Sequence, residues 1–204
     1  MKVIEFRKIL KNETYDNYYN DNHAWSRIYE YPLIISKIKK YLKEDSVIHN
    51  SSWGFEGIHV LFKEKLDQLS KNVYHSDIIE SKLKNTFVYD ITKEPKNDEI
   101  EKYDIVLNVS TLEEVNYDHI KIFNNLFKQV KNGGIFIATF DLNSQNNFFS
   151  NLFAKRQKVL QLNKFEKLFS RKIKNGTDIL NGENSLIKNQ KYRNTNCGIM
   201  VLRK

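Results

Sequence analysis

The middle of the chain alternates short apolar runs with amphipathic stretches. Strands are predicted near 46–50, 72–76, 86–89, 103–109, 135–140 and 197–203, where β-branched and aromatic residues cluster between turn signals. Behind Pro32, which suits a first helical turn, Leu33, Ile34, Ile38, Tyr41 and Leu42 recur at helical spacing and predict a helix ending near Lys43. Further helices are expected through Ile58–Leu69, Ile120–Val130 and Leu162–Phe169. The turn Lys131-Asn132-Gly133-Gly134 ends the helix through Ile120–Val130, since glycine takes left-handed conformations without a Cβ penalty.

Strands that read as continuous apolar runs, separated by amphipathic helices, imply a parallel sheet covered on both faces. Right-handed crossovers make it doubly wound. The expected fold class is therefore α/β, a doubly wound, mostly parallel central sheet. Residues 1–30 are polar and rich in aromatics, with no dominant hydrophobic period, and read as an N-terminal extension or cap to one domain spanning 31–204. After Phe140 the pattern loosens, and 143–158 reads as a loop or short helix.

Composition narrows the class. With 40% hydrophobic residues, 13 Phe and 11 Tyr, a 204-residue chain has material for one core. The net charge of +8 raises the question of a nucleic-acid partner, but the lysines are scattered and form no basic run, so no specific nucleic acid is expected. Cys197 is the one cysteine, which excludes an internal disulfide and a thiolate metal cluster, and its apolar neighbours read as a buried strand start. No zinc-ligand spacing occurs, so no metal is expected. No apolar run approaches the ~18 residues of a membrane span. Lys2, Glu5, Arg7 and Lys8 leave no signal-peptide core, so a cytoplasmic protein is expected.

In an open α/β sheet, ligands bind outside the carboxyl ends of the strands, so the loops there carry the candidate chemistry. Asp77 ends the second strand about twenty residues beyond the turn at Gly54, the offset of a nucleoside-binding unit whose acid accepts from ribose hydroxyls. Asp90 ends the third strand, where it suits an adenine amino group, and Ile78 and Ile91 are placed to sandwich the ring. Both aspartates equally suit strand-end caps. The loop Asn50-Ser51-Ser52-Trp53-Gly54-Phe55-Glu56-Gly57 keeps two glycines for close backbone approach at a helix N-terminus, or is a tight turn with Trp53 buried and Ser52 capping.

Asp90-Ile91, the run from Tyr103 to Val115 and Lys131-Asn132-Gly133-Gly134 before Ile135–Thr139 together resemble the class I S-adenosylmethionine (SAM)-dependent methyltransferases over residues 33–142. The match departs at Glu114, where that family has histidine, at Asn132, where it has proline, and in a degenerate first glycine motif with Ser51 and Trp53 at glycine positions. The resemblance implies SAM as cofactor, held by Asn50, Ser51, Gly54, Gly57, Asp77, Ile78, Asp90, Ile91, Asn108 and Ser110. It also implies methyl transfer to a small-molecule or glycan acceptor. The alternative is a binding or scaffold protein that keeps the fold without the activity. Candidate bases are Glu113, Glu114 and Asp141, at strand ends facing the cleft, with His23 and His119 behind them. Glu113 also suits a structural acceptor for loop amides.

Overall fold

A computed structural model describes residues 1–9, 13, 18, 27–54, 57–143, 160–171, 187–190 and 193–204. The strands are β1 (Lys2–Lys8), β2 (Ile48–Ser51), β3 (Val73–Asp77), β4 (Thr86–Val88), β5 (Tyr103–Val109), β6 (Val130–Asn143), β7 (Ile187–Gln190) and β8 (Arg193–Arg203). The helices are α1 (Arg27–Tyr41), α2 (Ile58–Leu69), α3 (His119–Lys128) and α4 (Leu162–Phe169).

The sheet order is β1-β8-β6-β5-β2-β3-β4, with β7 beside β8. The run from β6 through β5, β2 and β3 to β4 is parallel. The long β8 runs antiparallel to each of its partners, β6, β1 and β7. Parallel strands need a crossover, and α2 supplies the one from β2 to β3 and α3 the one from β5 to β6. The fold class read from the hydrophobic pattern is the one observed.

Side chains alternate across the strands, so each strand feeds two cores. On one face Ile105, Leu107, Ile137, Ile199 and Val201 pack under Ile34 and Ile38 of α1 and Phe62 and Leu66 of α2. On the other, Val106, Phe136, Phe140, Met200 and Leu202 meet Phe123 and Leu126 of α3 and Phe165 and Phe169 of α4. Cys197 is fully buried.

Three elements differ from the pattern. β1 is an edge strand, and Phe6 enters the second core. A register shift between Val3 and Glu5 breaks its two-residue period, which hides it in the sequence. α1 starts at Arg27 and carries Pro32 inside it, since Tyr29, Tyr31 and the buried Glu30 are held by tertiary contacts. β6 starts at Val130, and Tyr103 pairs with Val130 while Ile105 pairs with Ile135, so Lys131–Gly134 is looped out of register. Gly133 turns this bulge at φ 78°. Asp104 Oδ2 pins it by accepting from Lys131 Nζ and the Val47 amide, both at 2.9 Å. The stretch 143–158 lies, apart from Asn143, outside the described residues.

Gly198 faces Phe140 across β6 and β8, and a Cβ there would lie 2.3 Å from the Phe140 ring. That ring is fully buried and cannot swing into solvent. Gly198→Ala should therefore destabilise the fold by about 1–3 kcal/mol in urea titration. Pairing it with Phe140→Leu should recover part of the loss.

Candidate active site

The carboxyl ends of β2, β3, β4 and β5 open into one cavity of about 600 Å³. Its wall takes Asn50 from β2, Ser52, Trp53 and Gly54 from the following loop, and Asp77 and Ile78 from the end of β3. Val88 ends β4, with Asp90, Ile91 and Thr92 after it, and Val109 ends β5, with Thr111 and Val115 after it. Arg27 and Tyr31 of α1 with His59 and Phe62 of α2 close the side.

The loop after β2 owes its path to two left-handed residues, Ser52 at φ 54° and Gly54 at φ 64°. The Trp53 amide donates to Ser76 O, and the Gly54 amide donates to Asp77 Oδ2 at 3.2 Å. Asp77 Oδ1 accepts from the Ile78 amide at 2.8 Å. The aspartate thus ties two loops together while standing on the cavity wall. Trp53 is buried with its ring edge-on to His75. Next to Gly54 the space is closed, since a Cβ there would sit 2.7 Å from His59 Cδ2.

In the loop after β4, Asp90 Oδ1 accepts from Thr92 Oγ1 at 2.7 Å and from the Thr92 amide at 2.9 Å. Those bonds hold its carboxyl below the usual range, so it is ionised at neutral pH. Of the two flanking isoleucines, Ile91 is buried and Ile78 is exposed at the cavity mouth.

Other candidates stand behind the wall. Ser51 Oγ donates to Leu107 O at 2.7 Å and accepts from Asn108 Nδ2 at 3.0 Å, and Asn108 Oδ1 accepts from the Leu112 amide. They stitch β2 to β5. Gly57, at φ 59°, starts α2 and does not line the cavity. Ser110, at φ 41°, donates to Glu30 Oε1 at 2.5 Å. Glu30 is fully buried and ion-paired with Arg27.

Glu113 and Asp141 come together: Glu113 Oε1 accepts from the Asp141 amide at 2.6 Å. Burial, then the Asp141 charge, pushes the Glu113 carboxyl well above the ordinary value. Burial, then Glu30, raises Asp141 to about 6 against the pull of Arg27. Cys197 Sγ lies 3.5 Å from Asp141 Oδ1. Glu114 is exposed, and none of the three carboxylates lines the cavity. His119 is buried away from it, with Nδ1 accepting from the Gln161 amide, and His23 lies outside the described residues.

Sequence reasoning missed Arg27, Tyr31 and His59. Tyr31 Oη is hydrogen-bonded to His59 Nδ1, and its ring stacks on Phe62 with centroids 4.0 Å apart. Burial, then Arg27, lowers His59 to about 4, so the imidazole is neutral. No periodic signal singles out these residues, because they reach the cavity only through the packing of α1 on α2. Among the described residues no cluster of His, Cys, Asp or Glu suits a metal ion, and no helix is long and apolar enough to cross a membrane.

Comparison of this arrangement with solved structures decides its class. A phosphoethanolamine N-methyltransferase 2 from Haemonchus contortus, solved in complex with phosphomonomethylethanolamine and S-adenosylhomocysteine, superposes with a TM-score of 0.59 at 14% identity. The match covers 91% of this chain and 55% of that one. The chain has the class I methyltransferase fold. The N-methyltransferase NodS from Bradyrhizobium japonicum shares this methyltransferase fold at a TM-score of 0.53 and 12% identity, over 90% of this chain and 98% of NodS. The CMeT domain of the citrinin polyketide synthase does so at 0.55 and 14%, over 89% of this chain. The present chain thus spans about half the length of the Haemonchus and polyketide synthase chains, at 55% and 52%. No family model and no curated protein matches the sequence.

Asp141 binds its proton more tightly in the folded than in the unfolded chain, so its neutral form stabilises the fold below the unfolded pKa. That contribution falls as pH rises from about 4 through about 6. Asp141→Asn, neutral at every pH, should gain stability relative to the wild type across that window in urea titrations at pH 4.5 and 7. A constant difference would show that Asp141 titrates normally.

Proposed function

We propose that the cavity binds SAM and that the protein transfers its methyl group to a small-molecule or glycan acceptor. The supporting observation is one cavity that takes Asp77 and Asp90 from successive parallel strand ends, with Ile78 and Ile91 beside them. Asp77 suits the ribose hydroxyls, with two acceptor oxygens already oriented by the Gly54 and Ile78 amides. Asp90, ionised and fixed by Thr92, suits an exocyclic amino donor, and the isoleucines suit the faces of the ring. Asn50 and Gly54 line the part of the wall left for the methionine end.

SAM supplies an electrophilic methyl group on a sulfonium. The protein then has to align the acceptor, exclude water and take a proton. Arg27, Tyr31 and His59 are placed to form the acceptor side of the cavity. Asp141, named from the sequence as a base, stands off the cavity wall and would act on the site only through Arg27, whose charge it shares with Glu30. Glu113 orients it through its amide, and Glu114 has no role in this scheme. Nucleic acid should bind only weakly and in a salt-dependent way, as a scattered positive charge does.

One observation favours a second reading, a binding protein without transfer activity. Trp53, at a position where the methyltransferases that this loop resembles carry glycine, stands on the cavity wall. Calorimetry with S-adenosylhomocysteine separates binding from its absence, and methyl transfer from labelled SAM separates the enzyme from the scaffold.

Asp77→Ala removes a charge-assisted acceptor worth ~1.5–3 kcal/mol and should weaken S-adenosylhomocysteine about tenfold or more. An unchanged affinity in the folded variant would remove Asp77 from the site. Gly54→Val places a branched side chain at φ 64° against His59 and should abolish binding, whereas Trp53→Gly should preserve or improve it. The reverse pattern would mean that Trp53 itself supports the ligand.

A further inference from the structure

Four side chains form a continuous hydrogen-bonded series from α2 to the cavity wall. Lys63 Nζ lies 2.6 Å from Asp67 Oδ2, and Asp67 Oδ1 lies 2.9 Å from His75 Nε2. His75 Nδ1 in turn lies 3.2 Å from Asn50 Nδ2. Asp67 is partly exposed, His75 and Asn50 are buried, and Trp53 covers the imidazole edge-on at 5.9 Å.

Chemistry fixes every proton in this series. A carboxylate only accepts, so His75 Nε2 carries the hydrogen that faces Asp67. Burial, against the opposing pull of Asp67, lowers the imidazole to about 4, and the ring is neutral with Nδ1 bare. A bare Nδ1 needs a donor, which sets the Asn50 amide with its NH2 toward His75. Asn50 Oδ1 is thereby left as an acceptor, buried and without a hydrogen-bond partner among the described residues. A buried acceptor left unpaired is costly, and in a residue of a ligand cavity it marks where a donor should arrive.

We propose that the Asp67–His75 pair is a positioning device that presents Asn50 Oδ1 to the α-ammonium group of the methionine portion of SAM. This rests on the SAM reading of the cavity. The two aspartates suited to the nucleoside lie at the end of β3 and just after β4, toward the sheet edge, whereas Asn50 lies on β2 beside Trp53 and α2. At the methionine end, the carboxylate and the sulfonium carry no hydrogen-bond donor, and the ammonium is the group that does. Asn50 touches the ligand in this account, and Asp67 and His75 act through it.

The test is calorimetric titration with S-adenosylhomocysteine and with its deamino analogue, which keeps the carboxylate and replaces the amino group by hydrogen. The wild type should prefer S-adenosylhomocysteine by about tenfold, as a charge-assisted bond does. Asn50→Leu should bind the two nearly equally, with its affinity for the deamino analogue unchanged, which a general loss of structure would not produce. Asp67→Asn, at a partly exposed position, should reduce the preference without touching the ligand. Long-range proton–nitrogen spectra should show His75 as the Nε2–H tautomer in the wild type. The proposal is overturned if the wild type shows no preference, if Asn50→Leu keeps it, or if His75 is the Nδ1–H tautomer. A wild type that binds neither compound would instead overturn the SAM reading of the cavity itself.

Discussion

The fold turns on β2, a four-residue strand at the centre of the parallel sheet whose last three residues, His49, Asn50 and Ser51, are polar and buried. Polar groups taken from water cost free energy unless they are paired, and in a low-dielectric interior the pairing must be nearly complete. Each of the three finds a partner on a neighbouring strand. His49 Nε2 bonds Ser76 Oγ on β3, Asn50 bonds His75 on β3, and Ser51 bonds Leu107 O and Asn108 on β5. The strand is therefore locked in register by side chains as well as by its backbone ladder. A slip of one residue would strand all three in apolar surroundings.

This lock also sets the electrostatics of the site. Because β2 ends in polar residues, the cavity floor is fixed by hydrogen bonds, and the loop after it turns through Ser52 and Gly54 onto Asp77. Asp77 and Asp90 lie toward the β4 edge. On the other side, Glu30 and Asp141 lie around one buried guanidinium, Arg27, and their charges offset the cost of its burial.

Much of the sheet was legible from the sequence because parallel strands buried on both faces must be apolar runs, and Tyr103–Val109 and Ile135–Phe140 are. Asp77 and Asp90 were legible because a strand end fixes where a side chain lies without any knowledge of packing. β1 was not, since its bulge breaks the alternation at Val3 and Glu5. Arg27, Tyr31 and His59 were not legible either, because helix–helix packing decides which side of α1 and α2 faces the cavity. Ser51 and Asn108 illustrate the converse. Their positions near the strand ends were readable, but only coordinates show them bonded to each other across β2 and β5 instead of lining the cavity.

The pairing of β1 with β8 has a consequence for how the chain reaches this state. Lys2 lies opposite Arg203, so β1 does not gain this partner until β8 has been made. Closing a loop that long is entropically slow, although each doubling of its length adds only about 0.6 kcal/mol. During synthesis the segment carrying Phe6 must wait, with its apolar side uncovered, while the helices and parallel strands form. The β1 edge of the sheet thus depends on the emergence of β8, and any delay in that step lengthens the time in which β1 is open to the wrong partner.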